Sequence, residues 1–238
     1  ILSELRLTSN YNENMKIAIV SATMDDDEPV YRAYYKKYYR FYNIRGIFTD
    51  PRIHISPPGK TTKYKITEHF SKDEDIINIH QRTINQVKYI LKNYSSGQIL
   101  VFSTGQADIL KIVEELNKTL SSNIITLPYF SAMNPIYKDI IKNITEKLPS
   151  LKNKRENVHI EWGDKFIQDK SVSNNIYKRA VIVATNVAEA SITIPGLKFV
   201  VDNGYQKVRK YDIKQKTKVF AIEKISEASR LQRKGRVG

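Results

Sequence analysis

Ala180–Gly204 reads AVIVATNVAEASITIPGLKFVVDNG, and the order of its residue types decides the fold. Ala180 to Ala184 is a short apolar run with β-branched residues at its centre, which reads as a strand. Hydroxyl and amide side chains follow at Thr185, Asn186, Ser191 and Thr193, and Pro195-Gly196 then leads into a second strand at Lys198 to Val201. A strand that ends in a polar loop is the habit of an open α/β sheet, whose ligands bind at the carboxyl ends of the strands.

The same rhythm continues on both sides. Strands are expected at Lys16 to Val20, Gln98 to Phe102 and Asn123 to Thr126. Between them, Ile76 to Leu91 and Ile109 to Leu120 carry apolar residues near a 3.6 spacing, and Pro135 to Leu148 reads as a third helix with Pro135 in its first turn and Pro149 as its stop. The fold class is therefore α/β, a parallel sheet flanked by helices. Tyr205 to Ile222 alternates apolar and basic residues around a polar centre at Asp212 to Lys216, which adds an antiparallel β-hairpin. Two stretches break the pattern. Val30 to Asn43 interleaves six Tyr and one Phe with Arg and Lys; its rings suit either base stacking or, at helical spacing, one amphipathic packing face. Residues 149–175 are polar, with Trp162 as the one large anchor, and read as an insertion loop. A linker fits 51–62, where PRIHISPPGKTT supplies three Pro and a Gly; 1–50 is too short to close a core and reads as the tail of an upstream domain, leaving 63–238 as one α/β domain.

Composition narrows the chemistry. The 238 residues carry 39 Lys+Arg against 25 Asp+Glu, a net charge of +14, which points to a polyanionic partner or to a surface charged for solubility. Zero Cys excludes disulfides, thiolate metal sites, Fe–S clusters and cysteine nucleophiles, and His54, His69, His80 and His159 do not make a His-rich zinc site. The longest apolar runs, such as Ile99 to Phe102, fall far short of the ~20 residues that span a bilayer, so a soluble protein with no membrane partner is expected. The first residue is Ile and no signal segment follows, which reads as a piece of a longer chain.

Four segments carry phosphate-handling residue types at strand ends. Ser21-Ala22-Thr23 places two hydroxyls at i and i+2, on one side of the strand end, where they can hydrogen-bond or simply form a turn. Ser103-Thr104-Gly105-Gln106 precedes a helix, so its small residues either leave backbone N–H groups open to a phosphate or cap the helix with Ser103 or Thr104. Ser191 and Thr193 repeat the i, i+2 arrangement. Gln232-Arg233-Lys234-Gly235-Arg236 puts two arginines three apart on a helix face, where both guanidinium groups can aim at one locus and Gly235 permits close approach; a solvated basic tail is the alternative.

In this order the four segments resemble the second half of DEAH-box, superfamily 2 RNA helicases. SAT at 21–23 resembles motif III, LVFSTGQADI at 100–109 motif IV, ATNVAEASITIPGLKFVVDNG motif V, ISEASRLQRKGRVG motif VI, and LPYFSAMNP at 127–135 a short RNA-contacting segment. The resemblance implies RecA-like domains that bind ATP with Mg²⁺ in the cleft between them and single-stranded RNA or an RNA duplex across the top, with protein cofactors as further partners. It implies that Ser21, Ala22 and Thr23 couple the two activities; that Gln232, Arg233 and Arg236 are catalytic; that Ser191, Thr193 and Gly235 face the nucleotide; and that Thr104, Gly105, Ser131, Thr185, Asn186 and Lys207 contact RNA. The sequence departs from the family pattern at Pro195, where an Asp is common, and at Lys142, where a Phe stacks on the base. No phosphate loop or DEAH-type carboxylates occur, and a second family arginine would fall one position after Gly238, so this piece alone is expected not to hydrolyse NTP. A non-catalytic nucleic-acid-binding or docking module of the same fold is the rival reading. The Lys/Asn/Ile-rich composition, with QRKGRVG similar to the poxviral RNA helicase, points to a viral source; the sequence leaves an intracellular location open between cytoplasm and nucleus.

Overall fold

The computed structural model describes residues 29–30, 33–34, 65–71, 78–121, 123–149, 177–189, 192–214 and 216–237. The chain divides into two compact units, Ile1–Lys60 and Thr61–Gly238. In the first, Pro29, Val30, Ala33 and Tyr34 are helical, with Val30 and Tyr34 exposed. The strand expected at Lys16 to Val20 with Ser21, Ala22 and Thr23, most of the tyrosine-rich stretch, the linker, and the insertion beyond Pro149 lie outside the described residues, as does Ser191.

The second unit is built on a parallel sheet. Strands β1 (Gln98–Phe102), β2 (Ile124–Tyr129), β3 (Arg179–Ala184) and β4 (Leu197–Asp202) pair in the order β2-β3-β1-β4. Every residue of β1 and β3, the two central strands, is buried, as a parallel strand covered on both faces requires. Helix α1 (Ile79–Asn93) contributes Ile84, Val87 and Ile90 to the core, and α2 (Gln106–Thr119) contributes Ile109, Ile112, Val113 and Leu116. Fully burying each such side chain is worth roughly 1.5–3 kcal/mol. Tight backbone at the strand entries selects glycine: Gly97 has φ +100, and a Cβ there would lie 2.6 Å from the Lys198 side chain. β2, at one edge of the sheet, carries Pro128 opposite Val183.

The third expected helix is two. α3 (Pro135–Lys142) and α4 (Ile144–Lys147) are separated at Asn143, whose side-chain amide donates to the Asp139 carbonyl at 3.1 Å and so competes with the helical ladder. β5 (Tyr205–Asp212) and β6 (Thr217–Lys224) form the antiparallel hairpin, from Tyr205 opposite Lys224 to Asp212 opposite Thr217. The Ile225 N–H donates to the Gly204 carbonyl at 3.0 Å and closes the hairpin base. α5 (Glu227–Lys234) follows at once: the Ser226 hydroxyl caps it by accepting the Ser229 N–H at 3.2 Å, and Glu227 sits in its first turn.

Candidate functional site

All four parallel strands end at one edge, with Phe102 level with Ala184 and Asp202, and Tyr129 level with Ala184. The loops that leave this edge hold most of the sequence-predicted residues. After β1, the Ser103 N–H donates to the Ala184 carbonyl at 2.8 Å and locks the turn to β3. Neither Ser103 nor Thr104 caps α2; the capping position is Gly105, with no side-chain bond to the helix. Thr104, expected to face RNA, is turned inward: it is buried and its hydroxyl donates to Asp108 in the first turn of α2, with His80 Nε2 3.3 Å from the other Asp108 oxygen. What this turn presents outward is the backbone at Gly105. Lys207 of β5 comes to it, its Cδ 3.5 Å from where a Gly105 Cβ would stand. Thr185 accepts the Val187 N–H on its hydroxyl at 3.4 Å, while Asn186 is exposed at the start of a short 3₁₀ turn, Asn186–Glu189. Ser131 is exposed after β2, its carbonyl accepting the Lys138 ammonium at 2.6 Å.

The connection from the 3₁₀ turn back to β4 alternates. Ile192 and Ile194 are buried and Thr193 between them is exposed, so the expected hydroxyl does project from a loop anchored by its neighbours. Arg236 lies against the same loop. Its guanidinium donates to the Glu189 carbonyl at 3.3 Å and to the Ile192 carbonyl. Gln232 is half-buried on α5, and Gly235 ends that helix with its N–H bonded to the Leu231 carbonyl at 2.8 Å. Lys142 and Pro195 are both exposed, with the Pro195 carbonyl held by the Thr145 hydroxyl at 2.6 Å.

Arg233 corrects the expectation that two arginines converge on one locus. It is fully buried, with Nε 2.8 Å from Glu189 Oε1 and Nη1 2.7 Å from Asp202 Oδ1, and its guanidinium carbon stands 4.7 Å from the Phe102 ring centroid. The physical reason is that two carboxylates at the sheet edge face α5, and one buried cation between them offsets the cost of their burial. Arg233 turns inward, and Arg236 stays at the loop.

Two further features border this site. Glu68, in the segment 65–71, receives Lys234 at 2.7 Å and also pairs with Arg230, whose guanidinium carbon is 5.8 Å from the Phe70 centroid. The Lys234 hydrogen bond, aided by the Arg230 charge, holds the Glu68 carboxyl below the usual glutamate range, and the Glu227 carboxyl, hydrogen-bonded by Arg230, is lowered too. The hairpin, by contrast, faces solvent with Tyr211, Phe220 and Ile222 exposed among Lys207, Arg209, Lys218 and Lys224, all on one face of the ladder, and Lys207 Nζ lies 5.0 Å from the Phe220 centroid. Sequence reasoning missed Glu189, Asp202, Phe102, Asp108 and Glu68. Of these only Asp202 carried a visible signal, since it is one of 4 Asp+Glu set among 12 Lys+Arg from Lys198 to Arg236, and an acidic residue in such a stretch has cations to answer.

No family model matches the chain. It is 39% identical over 254 residues to the putative ATP-dependent RNA helicase R366 of Acanthamoeba polyphaga mimivirus, a match that covers 100% of this chain and 14% of that protein. A probable ATP-dependent RNA helicase, the DHX35 homolog of Caenorhabditis elegans, is 29% identical across 100% of this chain and 28% of its own length. ATP-dependent RNA helicase HrpA of Escherichia coli is 27% identical over 225 residues, 94% of this chain and 14% of that protein. The chain thus spans between about a seventh and somewhat over a quarter of the length of these relatives. Among solved structures, the E. coli DExH-box NTPase HrpB superposes with a TM-score of 0.50 at 22% identity, covering 73% of this chain and 17% of that one, a likeness of fold. The parallel sheet with its flanking helices is a RecA-like fold.

Proposed function

From the premise that this chain belongs, as a segment, with the DEAH-box ATP-dependent RNA helicases, we propose that the longer protein is an ATP-driven RNA helicase or translocase and that residues 63–238 are most of its second RecA-like domain. The observation that carries this reading is Arg236 anchored on the Glu189 and Ile192 carbonyls beside exposed Thr193. A guanidinium held there can neutralise charge that develops on a transferring γ-phosphoryl group, the role of an arginine finger. Gln232 and Ser191 order the attacking water, and Thr193 and Gly235 border the nucleotide. Mg²⁺ would supply neutralisation of the phosphate charge. Its ligands would be the acidic side chains of the other RecA-like domain that the resemblance implies; among the described residues no group of three His, Asp or Glu could hold a metal.

On the RNA side, the Gly105 backbone, Ser131, Thr185, Asn186 and Lys207 line the carboxyl edge of the sheet, with phosphates as their natural partners. Ser21 to Thr23 couple this grip to hydrolysis. ATP closes the cleft between two such domains and hydrolysis reopens it, so the two grips alternate and the strand is stepped. Residues 1–238 alone then bind single-stranded RNA weakly and do not hydrolyse ATP. The rival reading, a module that keeps the fold without the chemistry, is favoured by Pro195 and Lys142 at expected nucleotide contacts. RNA-stimulated ATPase of the full-length protein separates the two. Arg236→Ala is expected to lower kcat by about a thousandfold, the lower end of what an arginine finger contributes. An unchanged rate removes Arg236 from catalysis, and a wild-type protein with no RNA-stimulated hydrolysis supports the module.

A further inference from the structure

Arg233 is sealed from solvent, so it cannot touch a nucleotide, yet it joins three elements with one planar group. Its Nε meets Glu189 of the 3₁₀ turn, its Nη1 meets Asp202 at the end of β4, and its face covers Phe102 at the end of β1. Glu189 is held from two sides, because its other carboxylate oxygen accepts the Ser229 hydroxyl at 2.9 Å. The backbone carbonyl of that same residue accepts Arg236. A continuous chain of contacts therefore runs from the sheet edge through Arg233 and Glu189 to the guanidinium of Arg236.

Stability is a poor explanation for this cluster. A buried ion triad is often no more stable than apolar side chains of the same volume, whereas removal of one member is costly. What the triad adds is direction. A guanidinium fork fixes two carboxylates at set angles and stacks on a ring at the same time, which a lysine ammonium cannot do.

We propose that Arg233 is a positioning residue: a buried clasp that fixes Glu189 against β1 and β4, so that the Glu189 carbonyl holds Arg236 in the orientation its target requires. The target rests on the function proposed above; the clasp does not. Without it the 3₁₀ turn and the last turn of α5 part, and Arg236 loses one of its two carbonyl anchors.

The test uses the full-length protein and three variants, Glu189→Gln, Arg233→Lys and Ser229→Ala, the last a mild change that keeps every charge. Hydrogen exchange read on peptides covering 185–196 and 227–237 is expected to rise in all three variants, with the α2 peptides unchanged. Exchange in those two segments at the wild-type rate in Glu189→Gln overturns the clasp, whether or not the protein hydrolyses ATP. In RNA-stimulated ATPase assays, corrected for folded protein, Glu189→Gln and Arg233→Lys are expected to lose about tenfold in kcat, within the range a displaced catalytic group costs, while KM for ATP stays within about twofold. Wild-type kcat in Arg233→Lys, a rescue by charge alone, overturns the positioning role. So does a lower melting temperature with kcat intact. If wild-type protein shows no RNA-stimulated hydrolysis, the helicase reading falls and the exchange measurement alone judges the clasp.

Discussion

α5 and the hairpin that precedes it hold nearly all the basic residues of the chain's last stretch, and they use them in opposite ways. On α5 the cations are turned to the protein. Arg233 is buried between Glu189 and Asp202, Arg230 reaches Glu227 and Glu68, Lys234 reaches Glu68, and beyond the helix Arg236 lies on two carbonyls. On the hairpin Lys207, Arg209, Lys214, Lys216 and Lys218 are exposed beside Tyr211, Phe220 and Ile222. The same residue types thus yield internal order in one element and an outward field in the other. A count of lysines and arginines predicts a polyanionic partner only where the cations lack internal partners.

The sharpest way to break this contrast is to neutralise one cation in each region. Arg233→Met leaves two partly buried carboxylates without their cation and is expected to destabilise the unit by about 3 kcal/mol, the lower end for breaking a buried pair, seen as a lowered unfolding midpoint. Lys218→Met is expected to leave that midpoint unchanged. It should instead flatten the salt dependence of single-stranded RNA binding by roughly 0.7 in the log–log slope if Lys218 meets a phosphate. Equal thermal losses in the two variants would erase the distinction. Next in size, Phe220→Ala removes an exposed ring under Lys207 and is expected to weaken RNA binding by about 1 to 3 kcal/mol if a base stacks there, with folding untouched; unchanged affinity assigns that ring to another surface. The smallest effect concerns pH. Because the Glu68 carboxyl is held below its usual range by Lys234 and Arg230, its contribution is fully present above the ordinary glutamate value and is lost as pH falls through the lowered one. Hydrogen exchange in 65–71 should therefore stay at its neutral level relative to a Glu68→Gln control down to the ordinary glutamate value, and converge with that control only below it.

The strands were legible because their patterns are local. QILVF at 98–102 and the apolar centre of β3 can be nothing else in an α/β chain, and the hairpin's alternation gave its place to within two residues, ending at Lys224 instead of Ile222. The break at Asn143 was not legible, since a side chain that bonds four residues back is outwardly one more polar residue on a helix. At the site, the sequence pointed to the right segments and blurred what each side chain does. Arg233 and Arg236 share a helical face by spacing, but Glu189 and Asp202, 44 and 31 residues away, decide that one is buried. Thr104 was assigned outward for the same reason, its partner Asp108 being visible and its rotamer not.

Pro128 has a consequence for the company this sheet can keep. Among the described strands β2 is terminal in the order β2-β3-β1-β4, and a terminal strand is a template on which another chain can polymerise. A proline at the fifth of its six positions deletes one amide donor, so an intruding strand would find the ladder interrupted there. The molecule thereby carries its own protection against edge-to-edge aggregation on that side, through the absence of a single hydrogen.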